Sequence, residues 1–371
     1  MKCKVAIWGA GKFGQYVCSQ LKKQKDNLVV YFIDKNPDLM GKKIIGVDVV
    51  QPEYLQLSDR LEIDYILVAF MDGVSVYNQL SQFGSIKVGI VKNCVINQQL
   101  ELKEDLRKDN NIFWVALNKP LLKYLETNIV DHCNLNCKGC SHFSNLYHVG
   151  DAIPFDIYCK DLEQISQNVN LFQFRMLGGE VLLNERLIEY ITFTRKVLPY
   201  TDIWLVTNGL LLPRQKKVFF QSCRNNNIKI EISEYKPTLY IKSQIIELLN
   251  KYEIPFSIIE NLNDFGKNID LSGNADKYEA MERCREHGCH FFRNGKLHKC
   301  PFEALGNRFF EYYQLDASLQ GGADIYDRGL DWGKLIYQLD NHPIEACRYC
   351  GNEIHFKWEV SSNPTVEDWI V

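Results

Sequence analysis

Twice along this chain, short apolar strands alternate with loops and amphipathic helices, and that alternation leaves few folds open. Residues 2–8 (KCKVAIW), 28–33 (LVVYFI), 65–70 (YILVAF) and 87–92 (KVGIVK) read as strands. A helix running through about Lys23 follows the first, and another near 74–83 lies between the last two. Strands alternating with helices imply a parallel sheet covered on both faces. A second series begins near residue 120, with strands expected at 127–132, 172–177, 202–208, 229–233 and 255–260. Helices are expected between them at 156–168, 184–197, 213–225 and 239–251. Five or six βα units in roughly 140 residues predict an α/β chain whose centre is a partial (β/α)6 barrel. From about 262 the pattern breaks into Cys-rich hairpin sequence. The expected division is three domains, 1–112, 120–262 and 263–371.

Composition narrows the function. A formal net charge of −3 argues against a broad basic face and so against nucleic acid as a partner. No apolar run approaches the 20 or so residues of a membrane span, and the start, MKCKVAIWGAGKFG, lacks a signal-peptide layout, so a cytoplasmic location is expected. In a reducing compartment, 13 cysteines point to metal or catalysis before disulfides. Cys3, Cys18, Cys94, Cys159 and Cys223 stand alone and read as packing residues. The other eight cluster: Cys133, Cys137 and Cys140 in HCNLNCKGC; Cys284, Cys289 and Cys300 in RCREHGCHFFRNGKLHKC; Cys347 and Cys350 in ACRYCG.

Cys133-x3-Cys137-x2-Cys140 follows the first strand of the second series, at the strand end where βα barrels place their chemistry. Three thiolates on one loop cannot complete a four-ligand zinc site. They can hold three irons of a [4Fe-4S] cluster and leave the fourth open. Gly178-Gly179-Glu180 closes the second strand, Thr207-Asn208-Gly209 the third, and Ser233 the fourth. This combination closely resembles the radical SAM superfamily. The resemblance covers roughly 120–260 and implies that S-adenosylmethionine (SAM) chelates the open iron. It also implies that Gly178, Gly179, Glu180, Thr207, Asn208 and Ser233 border SAM, with Glu180's segment at its amino group. Glycines suit a backbone that approaches a ligand closely. Two departures stand out: Val181 replaces the usual Pro, and Gly139 stands where an aromatic residue is common, so Phe143 or His142 are candidates to stack on adenine.

In the C-terminal region, HFFR-NG-KLHK is a hairpin signature that draws Cys289 and Cys300 together. With Cys347 and Cys350 they form a four-thiolate set, which both zinc and [4Fe-4S] accept. The arrangement resembles the SPASM/twitch extensions of radical SAM enzymes, which implies one auxiliary [4Fe-4S] cluster. That family's spacing favours Cys284, ten residues before Gly295; the hairpin favours Cys289, and this reading leans to the hairpin. His132, His142, His287, His290 and His298 flank the two cysteine groups and are more often supporting or surface residues than functional ones.

Gly9-x-Gly11-x-x-Gly14 follows a strand and opens a helix, and Asp34 ends the next strand. This is the dinucleotide fingerprint of a Rossmann-like domain. It also resembles the small Rossmann-like domains of sugar-modifying enzymes. A nucleotide, a nucleotide-sugar, NAD or an empty scaffold remain open there.

The expected function is a radical SAM enzyme that cleaves SAM reductively to a 5′-deoxyadenosyl radical and takes hydrogen from a small-molecule substrate. A sugar or nucleotide-sugar of polysaccharide assembly, oxidised or epimerised, is the substrate expected, with flavodoxin or ferredoxin as electron donor. The alternatives are a peptide-modifying radical SAM enzyme and, of another class, a zinc- and nucleotide-binding regulatory module.

Overall fold

The structure, a computed structural model, describes residues 2–57, 63–70, 76–80, 86–92 and 100–371. It divides into two compact units, Met1–Leu121 and Leu122–Val371.

The first unit is built on β1 (Cys3–Trp8), α1 (Lys12–Lys22), β2 (Asn27–Ile33), β3 (Lys43–Ile44), β4 (Val47–Val50), α2 (Pro52–Leu57), β5 (Tyr65–Val68), α3 (Tyr77–Leu80), β6 (Lys87–Val91) and β7 (Ile112–Val115). Its sheet has the order β3-β4-β2-β1-β5-β6-β7, parallel from β4 to β6 with an antiparallel strand at each edge. Val5, Ala6, Ile7 and Trp8 are all buried, so β1 is covered on both faces, as its unbroken apolar run requires. Val17, Cys18 and Leu21 of α1 pack on Val5 and Ile7. The hairpin β3–β4 was not expected from sequence. Its turn is carried by Ile45 (φ 51°) and Gly46 (φ 71°) in place of the Asn-Gly or Asp-Gly that marks such turns. Of the helix expected near 74–83, residues 76–80 are described and contain α3; the rest of it, and Cys94, lie outside the described residues.

The second unit carries β8 (Leu121–Val130), α4 (Phe155–Asn168), β9 (Asn170–Gly178), α5 (Leu187–Val197), β10 (Asp202–Thr207), α6 (Lys217–Asn225), β11 (Lys229–Ser233), α7 (Lys236–Leu239), α8 (Lys242–Lys251) and β12 (Phe256–Ile259). These give the expected βα series within a few residues. Then come β13 (Asp264–Ile269), α9 (Lys277–Glu282), β14 (Phe291–Arg293), β15 (Lys296–His298), α10 (Pro301–Tyr312), β16 (Ala323–Asp324), α11 (Trp332–Asn341) and β17 (Cys350–Lys357). The main sheet runs β12-β11-β10-β9-β8-β14-β15-β16. Alternation sorts its side chains. Leu125, Ile129, Phe174, Met176, Ile203, Leu205, Ile230 and Ile232 join one apolar core with Tyr158, Leu162 and Ile191 of the helices. The opposite face is polar: Arg175 forks onto Glu231 at 2.8 and 2.9 Å, and Tyr124 donates to Glu126. Lys123 and Glu126 also explain why β8 begins earlier than its apolar stretch suggested.

Residues 263–371 do not form a separate unit. The hairpin β14–β15 extends the main sheet, with β14 parallel to β8. Asn294 (φ 49°) and Gly295 (φ 75°) make its turn, as the Asn-Gly signal predicted. FFEYY (309–313) is helical through Tyr312, with Phe309 and Phe310 buried. Pro301 at the first position of α10 makes a favourable start, because no N–H is lost there.

Candidate active site at the strand ends

The three-cysteine loop leaves β8 through Asp131 and His132. Arg293 of β14 fixes that exit with a bidentate pair to buried Asp131 at 2.8 and 2.7 Å. Beyond it, Cys133, Cys137 and Cys140 are close enough to bear on one another electrostatically. Burial pushes the Cys133 thiol well up, with Glu180, Cys140 and Cys137 adding to it. Burial, and then Cys140, push Cys137 up to about 12. Thiols that oppose each other's ionisation in this way suit a positively charged centre, which reverses that balance. Among the described residues, no three Cys, His, Asp or Glu side chains form a site for a single metal ion. The donor set, three thiols at the C-terminal end of a parallel strand, fits a cluster held through three irons.

The Gly-Gly-Glu and Thr-Asn-Gly segments meet below this loop. Glu180 is fully buried. Its carboxylate accepts the Thr207 hydroxyl at 2.6 Å, the Asn208 N–H at 2.9 Å and the Leu182 N–H at 3.0 Å. Burial raises its pKa against these donors. Asn208 then donates to Asn134 of the cysteine loop at 2.7 Å. Glu180 therefore laces three successive strand ends together. The two glycines are also required by their neighbouring strand. A Cβ at Gly178 would lie 2.0 Å from the Val130 carbonyl oxygen, and one at Gly179 2.2 Å from that of His132. What comes close on this side is the end of β8. Ser233 ends β11, and the N–H of Tyr235 donates to its carbonyl at 3.0 Å.

Sequence reasoning missed the C-terminal segment that closes over the loop. The Trp358 indole N–H donates to Cys137 Sγ at 3.1 Å, and that of Trp369 to the Cys140 carbonyl at 2.9 Å. The Trp358 ring stacks on Tyr235 with centroids 5.4 Å apart. Burial pushes the Tyr235 phenol well up, and Cys137, Cys140 and Cys133 add to it, which places it beside all three thiols. Two of the six tryptophans fall in the last fourteen residues, and that concentration was the available signal. Gly139 now has a reason: a Cβ there would meet Phe356 at 2.8 Å and the Asp368 carbonyl at 3.0 Å, at φ +63°. Phe143 is not available to adenine. It is buried among Phe302, Phe309 and Trp369. His142 is held by Asn128 at 2.9 Å, and burial lowers its pKa to about 4.

A cavity of about 400 Å³ lies alongside, lined by Cys284, Cys300, Cys347 and Cys350 together with Gly139 and Ser141 of the cysteine loop. Cys289 is not among its lining residues, contrary to the hairpin argument. Pairing between β14 and β15 stops at Phe291–His298, two residues short of either thiol. Cys300 turns away as the N-cap of α10, and the Cys289 N–H bonds the Glu286 carbonyl at 3.0 Å. Burial, then Glu126 and Glu286, push the Cys289 thiol up to about 12. The His290 ring bonds Asp340 at 2.8 Å and the Lys299 carbonyl at 3.1 Å, a structural use, while His287 lines the cavity.

In the first unit, Gly9 (φ 111°) and Gly14 are packed tightly, a Cβ on Gly14 falling 1.8 Å from the Gly9 carbonyl oxygen. Gly11 meets nothing within 4 Å and begins α1 without a side-chain cap. Asp34 accepts the N–H groups of Ala10 at 2.8 Å and Asn36 at 2.9 Å, so both its oxygens hold backbone. Of the lone cysteines, Cys18 and Cys223 are buried, and Cys3 and Cys159 partly so.

The loop chemistry and the laced strand ends define a class: together with the relatives below they support a radical SAM superfamily enzyme, for which a [4Fe-4S] cluster and SAM are implied. It is similar to the GTP 3′,8-cyclase of Clostridium acetobutylicum, a radical SAM enzyme, with 33% identity over 99 residues, 26% of this chain and 30% of that one. It is also similar to the GTP 3′,8-cyclase of Clostridium perfringens strain SM101, with 21% identity over 175 residues, 37% of this chain and 54% of that one. The chain thus spans about a third to a half of the curated relatives it matches. Among solved structures, BtrN in complex with AdoMet and 2-DOIA is similar with a TM-score of 0.41 and 14% identity, covering 63% of this chain and 94% of that one. Residues 1–88 match the family described as C2185-like, N-terminal. No helix among the described residues is long and apolar enough to cross a membrane.

Proposed function

We propose that this protein is a radical SAM enzyme in which Cys133, Cys137 and Cys140 hold the SAM-binding cluster. The observation that carries this is the meeting of the three-thiol loop with the Glu180–Thr207–Asn208 network at the ends of β8, β9 and β10. When bound, the cluster and SAM supply a 5′-deoxyadenosyl radical by one-electron reduction of the sulfonium. The chain's own part is to position and enclose. Arg293 and Glu180 hold the strand ends in register, and the Trp358–Tyr235 stack covers the thiols. Gly178, Gly179 and Ser233 belong to the rim that faces SAM.

Cys284, Cys300, Cys347 and Cys350 are the ligands we assign to one auxiliary [4Fe-4S] cluster, on the support of the cavity they share. The auxiliary cluster would take an electron from the substrate radical in an oxidation, or leave hydrogen return to another group in an epimerisation. Anaerobically reconstituted protein is expected to hold about eight irons and eight sulfides per chain, four per cluster. About four would remove the auxiliary cluster, and zinc without iron would sink the enzyme reading. Cys284→Ala is expected to lower the iron count to about four, while Cys289→Ala leaves about eight. The opposite result would return the ligand role to Cys289.

The substrate class we assign is a small sugar or nucleotide-linked sugar. Its support is the Gly9–Gly14 loop, where open Gly11 at the start of α1 leaves room for a phosphate of a nucleotide, nucleotide-sugar or NAD. Both Asp34 oxygens are engaged with backbone, which weighs against a ribose contact there. Flavodoxin or ferredoxin is the electron donor and the cytoplasm the location that go with this chemistry. Tritium or deuterium passing from a labelled sugar into 5′-deoxyadenosine would test the substrate; label transfer from a peptide alone would replace it.

A further inference from the structure

We infer that Trp358 is a positioning residue that raises the reduction potential of the first cluster by donating its indole N–H to the sulfur of Cys137. The inference rests on the reading above, in which Cys137 is an iron ligand. The donor–sulfur distance is 3.1 Å. Of the three loop sulfurs, Cys133 receives the N–H of Leu135 at 3.3 Å, a donor from its own turn, and more weakly the Asn208 amide at 4.0 Å. The donor to Cys137 comes from 221 residues away.

The indole is not there by chance of a loose side chain, since both its backbone and its ring are fixed. The Trp358 N–H bonds the Asn263 carbonyl at 2.8 Å. The three residues that follow it pair with the cysteine loop. The Lys138 N–H bonds the Glu359 carbonyl at 3.0 Å, the Ser361 N–H bonds the Asn136 carbonyl at 2.7 Å, and Cys137 and Val360 form an antiparallel bridge. The Lys138 ammonium meets the Glu359 carboxylate at 2.9 Å. The ring lies nearly parallel to Tyr235, at 17°. A donor held this rigidly needs no rearrangement to serve the sulfur.

The physical consequence follows from charge. A reduced cluster carries one more negative charge than an oxidised one, shared onto its ligand sulfurs. A hydrogen bond to a charged acceptor is stronger than one to a neutral acceptor. The Trp358 bond therefore stabilises the reduced state more and raises the potential, as hydrogen bonds to cluster sulfurs do. Indole donates only and does not titrate, so the effect is independent of pH over the working range. It makes electron entry easier from a weak physiological reductant.

The test is an EPR-monitored redox titration of the reconstituted full chain without SAM. Subtracting the spectrum of the variant with Cys133, Cys137 and Cys140 all replaced by alanine isolates the first cluster. Trp358→Phe keeps an aromatic face for Tyr235 and loses the N–H. Replacing Trp358 with 3-benzothienylalanine keeps the shape of the ring and loses only the N–H, and it serves where the Phe variant fails to fold. At fixed poise, both are expected to show at least a tenfold lower ratio of reduced to oxidised cluster, about 59 mV for a one-electron couple, with iron content unchanged. An unaltered potential in both overturns the inference. So does a shift in the Phe variant alone, which would assign the effect to packing. If the unaltered chain shows no signal that the triple alanine variant removes, the cluster assignment itself fails, a separate outcome.

Discussion

Replacing Cys133, Cys137 and Cys140 together by alanine is expected to abolish formation of 5′-deoxyadenosine from SAM and to lower the iron content from about eight to about four per chain. The remainder would be the auxiliary cluster proposed for Cys284, Cys300, Cys347 and Cys350. The loss is complete because the loop offers no substitute ligand. His132 Nδ1 accepts the Gly150 N–H at 3.2 Å, and His142 Nδ1 bonds Asn128. Asn134 is engaged by Asn208. The fold should persist, since the loop is fastened independently of its thiols by the Asp131–Arg293 pair, the Trp369–Cys140 carbonyl bond and the bridge to Val360. Iron analysis and product chromatography on the same sample check both halves. Residual turnover above background would move the SAM cluster elsewhere.

The second large effect is expected at Gly179. A Cβ there would sit 2.2 Å from the His132 carbonyl oxygen, 2.3 Å from its carbon and 2.7 Å from the Asp131 oxygen. All three are backbone atoms, so no side chain can swing aside. Gly179→Ala must push β9 away from β8, and overpacking of this kind costs about 1–3 kcal/mol or more. A unit of this size then melts lower by roughly 2–4 °C per kcal/mol. Activity suffers more than stability. His132 precedes Cys133, and Glu180, next to Gly179, laces the three strand ends. A misplacement of about 1 Å at such a site costs on the order of 100-fold in rate. Calorimetry and the rate of 5′-deoxyadenosine formation read the two effects separately. Unchanged values for both would mean that the strand ends yield without consequence, and the Glu180 network would lose its assigned role.

Much of this site was legible before any coordinates. The strands and helices of both series were marked by blocks of Val, Ile, Leu and Phe at strand and helix periods, and among the described residues most lie within a few residues of their expected places, the early start of β8 apart. Asn294-Gly295 named its own turn. The cysteine loop announced itself because its three cysteines sit within eight positions. What stayed hidden was of two kinds. The first is contact across long sequence separations: Trp358 reaches Cys137 over 221 residues and Trp369 reaches Cys140 over 229, and no local period encodes such a meeting. The second is where pairing stops. Ideal hairpin geometry carries Cys289 opposite Cys300, but the ladder ends at Phe291–His298, and Cys284 takes the place in the cavity. The close approach of the Gly-Gly-Glu glycines to the end of β8 belongs to the first kind as well.

The measurement that tests the central claim most directly is the fate of SAM. Protein reconstituted to full iron content, reduced with dithionite under strict anaerobiosis and given SAM without any other substrate, is expected to release 5′-deoxyadenosine and methionine in equal amounts. The reaction should vanish when Cys133, Cys137 and Cys140 are replaced. Intact SAM after prolonged incubation with a reduced, EPR-active cluster would contradict the account.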